Sequence, residues 1–354
     1  MASQSRPTLA LVAARAGVSP STASLAFSGS ARVAPATRLR VLAAAEELGY
    51  SGPDPLAASL RRGRSGVVGA IITERLLYAF RDPVSVQLLD GMAEVLGPHG
   101  VGLLLLAGDS GRPGQEQLAR IPLDAAVFAS CGLEDDPALE LLRRRGVPLV
   151  AVEGPRIPGV PLIDVDNRAG AAELARHLHG LGHRRVAVVT LPLRLDGSHG
   201  LIDPARRAVV SYRVVRQRLA GVAEVFGDVP AYETASNSVD HGERAGRALL
   251  DAPDRPTAVL AQSDILAAGV LRAAAALGLR VPEDVSVAGF DGADLHWLRP
   301  ALLSTVVQPT EEKGRAAARA VVELLGGSNP DDVLLPVSVR LGSTTGPPPD
   351  NVRT

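Results

Sequence analysis

From Val67 onward short apolar runs alternate with longer amphipathic stretches, and this alternation constrains the fold more than any other feature of the sequence. Candidate strands are Val67–Ile72, Val101–Leu106, Ala125–Phe128, Pro148–Val152, Arg185–Val189, Ala258–Ala261 and Val285–Ala288. Between them the 3.6-residue period predicts helices over Ser85–Leu96, Pro137–Arg145, Ala169–Leu181, Arg213–Val225, Gly242–Leu250, Ile265–Leu277 and Glu311–Leu325. Strands alternating with helices imply doubly wound parallel sheets. Ligands of such sheets bind beyond the carboxyl ends of the strands. Polar residues fall at several of those ends: Glu153, the run Gln262-Ser263-Asp264, and Asp291.

Several function classes find no support. At 354 residues the chain has room for two or three domains, and 46% apolar with 21% charged residues is ordinary for a soluble protein with a sizeable core. No apolar run reaches eighteen residues and no signal-peptide core opens the chain, so a cytoplasmic protein without a membrane partner is expected. The single Cys131 rules out an internal disulfide framework and is expected to be buried and inert. No dinucleotide or phosphate-binding glycine loop follows the first strand, and no nucleophile elbow occurs, so neither an enzyme nor a cofactor is expected. His177, His179 and His183 are close in sequence, but residues two apart do not share a helix face, and no metal site is expected. The carboxylate pairs Asp135-Asp136 and Asp331-Asp332 sit beside prolines and read as solvated loops.

The first 64 residues are different in kind. They carry eight arginines and three acids, a net of +5 in a chain of net −1, which leaves −6 for the rest. A basic head on an acidic body points to a polyanionic partner for the head alone. Thr8–Ala16 reads as a short helix with Leu9, Val12, Ala13 and Ala16 toward the core, and Gly17 interrupts it. Ser19-Pro20 restarts a helix, a serine cap followed by proline in the first turn, running to Phe27. A third helix is predicted over Pro35–Leu48, with Leu39, Leu42, Ala43 and Leu48 as its apolar stripe. Helix, glycine turn, helix and a supporting third helix make a helix-turn-helix layout. There the second helix would present Pro20, Ser21, Thr22, Ser24 and Leu25 to a major groove. The same three helices also suit an ordinary interaction domain, and the charge asymmetry favours DNA.

Residues 51–55 are rich in turn formers, and Leu56–Leu60 with Arg61, Arg62 and Arg64 follows. This is either a plain tether or a short helix that orders on DNA, with a leucine wedged in the minor groove and arginines on phosphates.

The run Thr8-Leu9-x-x-Val12-Ala13-x-x-Ala16-Gly17-Val18-Ser19-Pro20-Ser21-Thr22-Ala23-Ser24 resembles the head of the lactose-repressor/galactose-repressor (LacI/GalR) family. So do Arg38–Tyr50, Pro53–Ala57 with Ser59–Arg61, Val165–Ala171, Leu181–Arg185, Arg218–Gly221, Ser263-Asp264, Val281–Asp291 and Ser304–Gln308. The resemblance spans about residues 8–345. It implies an α-helical helix-turn-helix DNA-binding head and an α/β two-lobed, periplasmic-binding-protein-like effector domain built on two doubly wound parallel sheets. The boundaries it implies are a head at 1–50, a hinge at 51–65, an effector-binding and dimerisation domain at 66–345, and a tail at 346–354. Within the effector domain an N-subdomain is expected at about 66–164 plus 295–325, and a C-subdomain at about 165–294 plus 326–345.

The function implied is a sequence-specific transcriptional regulator, in most such cases a repressor. It would act as a homodimer or dimer of dimers on near-palindromic double-stranded operator DNA, under control of a sugar-like effector. The alternative is a solute-binding protein without a DNA function. For DNA binding, Leu60 matches the family's minor-groove wedge, Pro20 and Ser21 its base-reading pair, and Thr22 and Ser24 its phosphate contacts; Thr8, Leu25, Leu56, Ala57 and Arg61 complete the candidate surface. For the effector, the candidates are Glu153, Arg218, Asp264, Asp291 and Gln308, and carboxylates beside an arginine suit a polyhydroxylated ligand. A structural ion pair is the alternative for Arg218 and Asp264.

Departures from the family pattern carry expectations too. Leu25 stands where an arginine is usual and cannot make a bidentate guanine contact. Leu11 replaces an acid that would complete the capping box of Thr8, and Ala34 replaces a serine cap. The stretch Leu191–Arg213 is long and reads as either a lid over the cleft or a disordered loop.

Overall fold

The computed structural model describes residues 7–349 except 29, 53–62, 73–75, 108–111, 130–135, 155, 195 and 300. Two units emerge, Met1–Gly66 and Val67–Thr354. In the first, helices α1 (Leu9–Ala16), α2 (Pro20–Phe27) and α3 (Pro35–Glu47) enclose a small core of Val12, Ala13, Ala23, Ala26, Val33, Val41, Ala44 and Ala45. Gly17 adopts φ +66, a left-handed turn that releases the chain from α1 so that Val18 N–H can donate back to Ala13 O at 2.9 Å. Ser19 then caps α2, accepting from Thr22 N at 3.1 Å. Thr8 caps α1 through Leu11 N, while α3 starts at Ala34 with no side-chain cap.

The stripe expected on α3 is corrected. Leu39 and Leu42 are 69% and 41% exposed, and Val41, Ala44 and Ala45 face the core instead, with Leu48 packed beside them. The head is so small that its helices meet through alanine and valine, and the bulkier leucines fall outside that contact.

The second unit contains two sheets. Strands β1 (Val67–Ile72), β2 (Gly102–Ala107), β3 (Ala125–Phe128), β4 (Leu149–Val152) and β5 (Leu162–Val165) belong to the first. β6 (Val186–Thr190), β7 (Gly200–Leu201), β8 (Ala231–Glu233), β9 (Ala258–Ala261), β10 (Ser286–Asp291) and β11 (Ser304–Val307) belong to the second. β12 (Val333–Leu335) returns to the first and β13 (Ser338–Arg340) to the second, giving orders β12-β5-β4-β3-β1-β2 and β13-β11-β10-β9-β6-β8-β7. The first sheet is parallel throughout. The second is parallel except for its edge strands β7 and β13.

The helices of this unit are α4 (Leu76–Ala79), α5 (Pro83–Leu96), α6 (Arg112–Arg120), α7 (Pro137–Arg144), α8 (Asn167–Gly180), α9 (Pro204–Ala208), α10 (Arg213–Phe226), α11 (Val239–Leu250), α12 (Asp264–Ala276) and α13 (Thr310–Leu325). Alternate strand residues feed opposite faces. Val68, Ala70 and Ile72 pack with Leu88 and Met92 of α5 and Ala317 and Val321 of α13, whereas Ile71 packs with Leu139 and Leu142 of α7. In the second sheet, Val186 and Val188 meet α8 and α10, while Ala187 and Val189 meet α11 and α12.

The chain crosses between the sheets after β5, after β11 and after β12. Two of these points differ from the exchanges expected at 294/295 and 325/326, because β11 pairs with β10 and β12 pairs with β5. The described residues of 191–213 form a sheet edge rather than a structureless loop, and Leu191 lines the space between the two sheets. β7 adds to β8, and Arg206 of α9 donates to Asp196 Oδ2 and Glu233 Oε2, both at 2.7 Å.

Candidate functional site

On the head, Pro20, Ser21 and Leu25 are exposed and Ser24 half-buried along one side of α2, while Ala23 and Ala26 of the same helix reach the core. The helix therefore presents the face the sequence assigned to a groove. Ser19 Oγ lies 2.8 Å from both Ser21 Oγ and Thr22 Oγ1, so three hydroxyls gather at the N-terminus of α2, the end of a helix whose dipole favours an anion. Thr8 is exposed at the start of α1. Leu56, Ala57, Leu60 and Arg61 lie outside the described residues, as does Cys131.

In the second unit a cavity of about 130 Å³ lies between the two sheets, lined by residues of both, Ile72, Glu153 and Lys313 among the first and Arg218, Ser263 and Asp291 among the second. Glu153 follows β4 with φ +59 and Asp291 ends β10 with φ +123, both unusual for residues with a side chain. These bends set two carboxylates at the carboxyl ends of strands from opposite sheets. Arg218, buried in mid-α10, lies between them: its guanidinium nitrogens are 3.8 Å from Glu153 Oε1 and 3.6 Å from Asp291 Oδ1. Its orientation is fixed from behind. Nε donates to Asn167 Oδ1 at 2.8 Å, Nη1 donates to the Gln262 carbonyl, and the guanidinium sits 3.6 Å above the Phe290 ring.

Gln308 joins the two halves. Its Nε2 donates to Asp291 Oδ1 at 2.7 Å, and its Oε1 accepts from Lys313 Nζ at 2.5 Å. Lys313 also donates to Glu153 Oε2 at 2.9 Å. Glycines bring α13 close enough for this: a Cβ on Gly314 would lie 2.1 Å from Leu88 O of α5, and one on Gly91 would lie 2.1 Å from Glu311 O. Asp82 caps α5 at the cavity wall, accepting from Ser85 Oγ at 2.8 Å.

Burial penalises every charge in this site, and the outcome depends on the partners. Burial pushes the Glu153 carboxyl up, but Lys313 and Arg218 together outweigh it and hold the group below its ordinary value. Burial raises Asp291 well above the usual carboxylate range; Arg218 opposes the rise, and the nearby Asp264 and Asp82 add to it. Burial likewise raises Asp82. The site thus combines two cations, one firmly ionised carboxylate and two carboxyls that hold their protons more tightly than usual.

The sequence expectations meet this geometry unevenly. Glu153, Arg218, Asp291 and Gln308 come together. Asp264 does not line the cavity. Its carboxylate accepts from Thr305 Oγ1 at 2.5 Å and from Ala293 N at 2.7 Å, tucked against Gly289, where a Cβ would lie 2.2 Å away. Burial pushes it up to about 7. Its neighbour Ser263, the cap of α12, faces the cavity instead. Lys313, Asn167 and Asp82 were not anticipated. Lys313 left a signal: it is the one lysine in the sequence and sits on the buried stripe of α13 between Thr310 and the run Ala316, Ala317, Ala320 and Val321.

Of the histidines at 177, 179 and 183, the last is part of the core. His183 is fully buried, with Nδ1 2.8 Å from Thr257 Oγ1 and Nε2 accommodating Ser286 and Gly346 O, and no metal-holding cluster occurs among the described residues. Two of the acids expected to be solvated also hold backbone. Asp136 caps α7, and Asp332 accepts from Leu162 N at 2.9 Å.

The chain is similar to known proteins in both of its units. Residues 8–52 match the family described as bacterial regulatory proteins, lacI family, and residues 175–345 match the periplasmic binding protein-like domain. An HTH-type transcriptional regulator of Mycolicibacterium smegmatis (strain ATCC 700084 / mc(2)155) is 36% identical, with 97% of each chain covered. The solved complex of the transcriptional regulator CelR with cellobiose is similar with a TM-score of 0.67 at 29% identity, covering 96% of this chain and 100% of that one. The lac repressor dimer bound to operator and the anti-inducer ONPF has a TM-score of 0.78 at 24% identity, covering 97% and 100%, a likeness of fold.

Proposed function

The chain belongs to the LacI family of bacterial regulatory proteins, and from that premise we propose that it is a repressor whose hold on operator DNA is set by a small polyhydroxylated effector bound between its two sheets. One observation carries the reading: Glu153, Arg218, Asp291 and Gln308, drawn from both sheets, converge on one cavity. An effector seated there touches both lobes at once and so favours one lobe arrangement over another, a population shift by differential contact. Hydroxyl groups fit the mixture of donors and acceptors, and the cellobiose complex of CelR supports a sugar-like ligand.

On the DNA side, Pro20, Ser21 and Leu25 read base edges, and Thr8, Thr22 and Ser24 position the head on phosphates. Residues 51–65 act as the hinge, with Leu56, Ala57, Leu60 and Arg61 engaging DNA, and the protein works as a homodimer on a near-palindromic site. It acts in the cytoplasm by binding rather than catalysis; among the described residues no helix is long and apolar enough to cross a membrane. A solute-binding protein without a DNA role would have no use for the helix-turn-helix head.

Selection of bound duplexes from a random library by the purified full-length chain tests this. The expected result is one near-palindromic sequence whose retention changes with a sugar. Equal retention of all duplexes, with and without sugars, would refute it.

A further inference from the structure

Lys313 is the only lysine in 354 residues, and it is 1% exposed. Burying an ammonium costs several kcal/mol, and apart from Thr310 its buried neighbours on α13 are glycine, alanine and valine. Packing alone does not call for a lysine there. The group donates to Glu153 Oε2 and Gln308 Oε1, and an ammonium has three N–H donors. Among the described residues these two are its hydrogen-bond acceptors. Glu153 has capacity to spare as well: its Oε1 accepts one long bond, from Asn167 at 3.4 Å, and lies 3.8 Å from Arg218. Both residues line the cavity. A donor and an acceptor therefore stand side by side, 2.9 Å apart, at the wall of one small space.

A hydroxyl both donates and accepts. Two hydroxyls on adjacent carbons complement such a pair: one oxygen accepts from the ammonium while its neighbour donates to the carboxylate. A carboxylate in the same place would meet Glu153, and an ammonium would meet Lys313. We propose that Lys313 is an effector-contacting, specificity-determining residue that, with Glu153, reads a vicinal diol. This rests on the cavity being the effector site. Lys313 also holds the amide of Gln308, whose other end donates to Asp291 of the second sheet, so an oxygen bound at Lys313 is linked to both lobes.

The test is a cycle between protein and ligand on the full-length chain. Binding of D-ribose, D-glucose, D-galactose and cellobiose is measured by calorimetry, and the tightest binder is compared with its monodeoxy analogues. Wild type, Lys313→Met and the charge-free pair Glu153→Gln/Lys313→Met are used; the last leaves no buried carboxylate without its cation should the single variant fail to fold. Removing the hydroxyl that accepts from Lys313 is expected to weaken wild type about tenfold, the scale of one hydrogen bond, and to leave either variant unchanged, whereas removing its neighbour, which donates to Glu153, weakens wild type and Lys313→Met alike. Removing any other hydroxyl weakens all the proteins alike. Equal factors for every analogue in wild type and variant would show that Lys313 serves the fold alone and overturn the proposal. If none of the four sugars binds wild type, the sugar-like effector site itself is refuted and the diol reading falls with it.

Discussion

Asp264→Asn separates a structural carboxyl from a ligand contact. The side chain is fully buried and engages Thr305 and Ala293, holding the loop after β10. Its carboxyl is pushed up to about 7 by burial, from an ordinary value near 3.8. Between those values the folded chain keeps the proton while the unfolded chain has lost it. Stability therefore falls as pH rises through that window, and the loss is complete above about pH 7. At 1.36 kcal/mol per unit, a rise of about three units corresponds to roughly 4 kcal/mol as an upper bound, shared in part with the neighbouring Asp291. Asparagine keeps the shape and mimics the protonated form. The variant should thus lose its share of the pH slope: compared with wild type it gains stability from pH 5 to about pH 7 and levels off above that. Asp264→Ala, which strands two donors, should lose about 2–5 kcal/mol at pH 5. Urea midpoints across the pH series measure both. Parallel pH profiles for wild type and Asp264→Asn would refute the reasoning.

Other residues give sharper functional readouts. Arg218→Ala leaves Glu153 and Asp291 without their shared cation, and should cost about 3–5 kcal/mol of stability while abolishing the sugar response; an unaltered calorimetric titration would remove Arg218 from the site. Leu25→Arg gives the exposed face of α2 a side chain able to pair with guanine, and should shift operator preference by about 1–3 kcal/mol toward sites with a G at that step, measured by competitive gel shift. Gly314→Ala places a methyl 2.1 Å from the Leu88 carbonyl and must push α13 away from α5. The melting temperature should fall by an amount corresponding to about 1–3 kcal/mol, and a melting curve like that of wild type would show the contact to be loose.

The sequence was most legible where one local rule dominated. Helix α2 was read to the residue because Ser19-Pro20 starts it and Ser28 ends it, and β1, β3 and β9 because they are uninterrupted apolar runs. β5 and β12 went unread: three or four residues show no period, and Asp164 interrupts the apolar pattern of β5. In the site, Glu153 and Asp291 were visible as polar residues at strand ends. Of the run Gln262-Ser263-Asp264, it is Ser263 that lines the cavity, since at a helix N-terminus adjacent side chains diverge. Lys313 could not be located without the close packing of α13 on α5, a contact between segments more than two hundred residues apart.

The threefold exchange of chain between the sheets bears on how the protein is made. Neither lobe is contiguous, and the outer strands β12 and β13 are only two residues apart in sequence while closing different sheets. During synthesis each lobe waits, one margin open, for the same late stretch of polypeptide, so the two are completed together rather than in turn. A lesion in that stretch would leave both unfinished at once, and exposed strand margins invite aggregation.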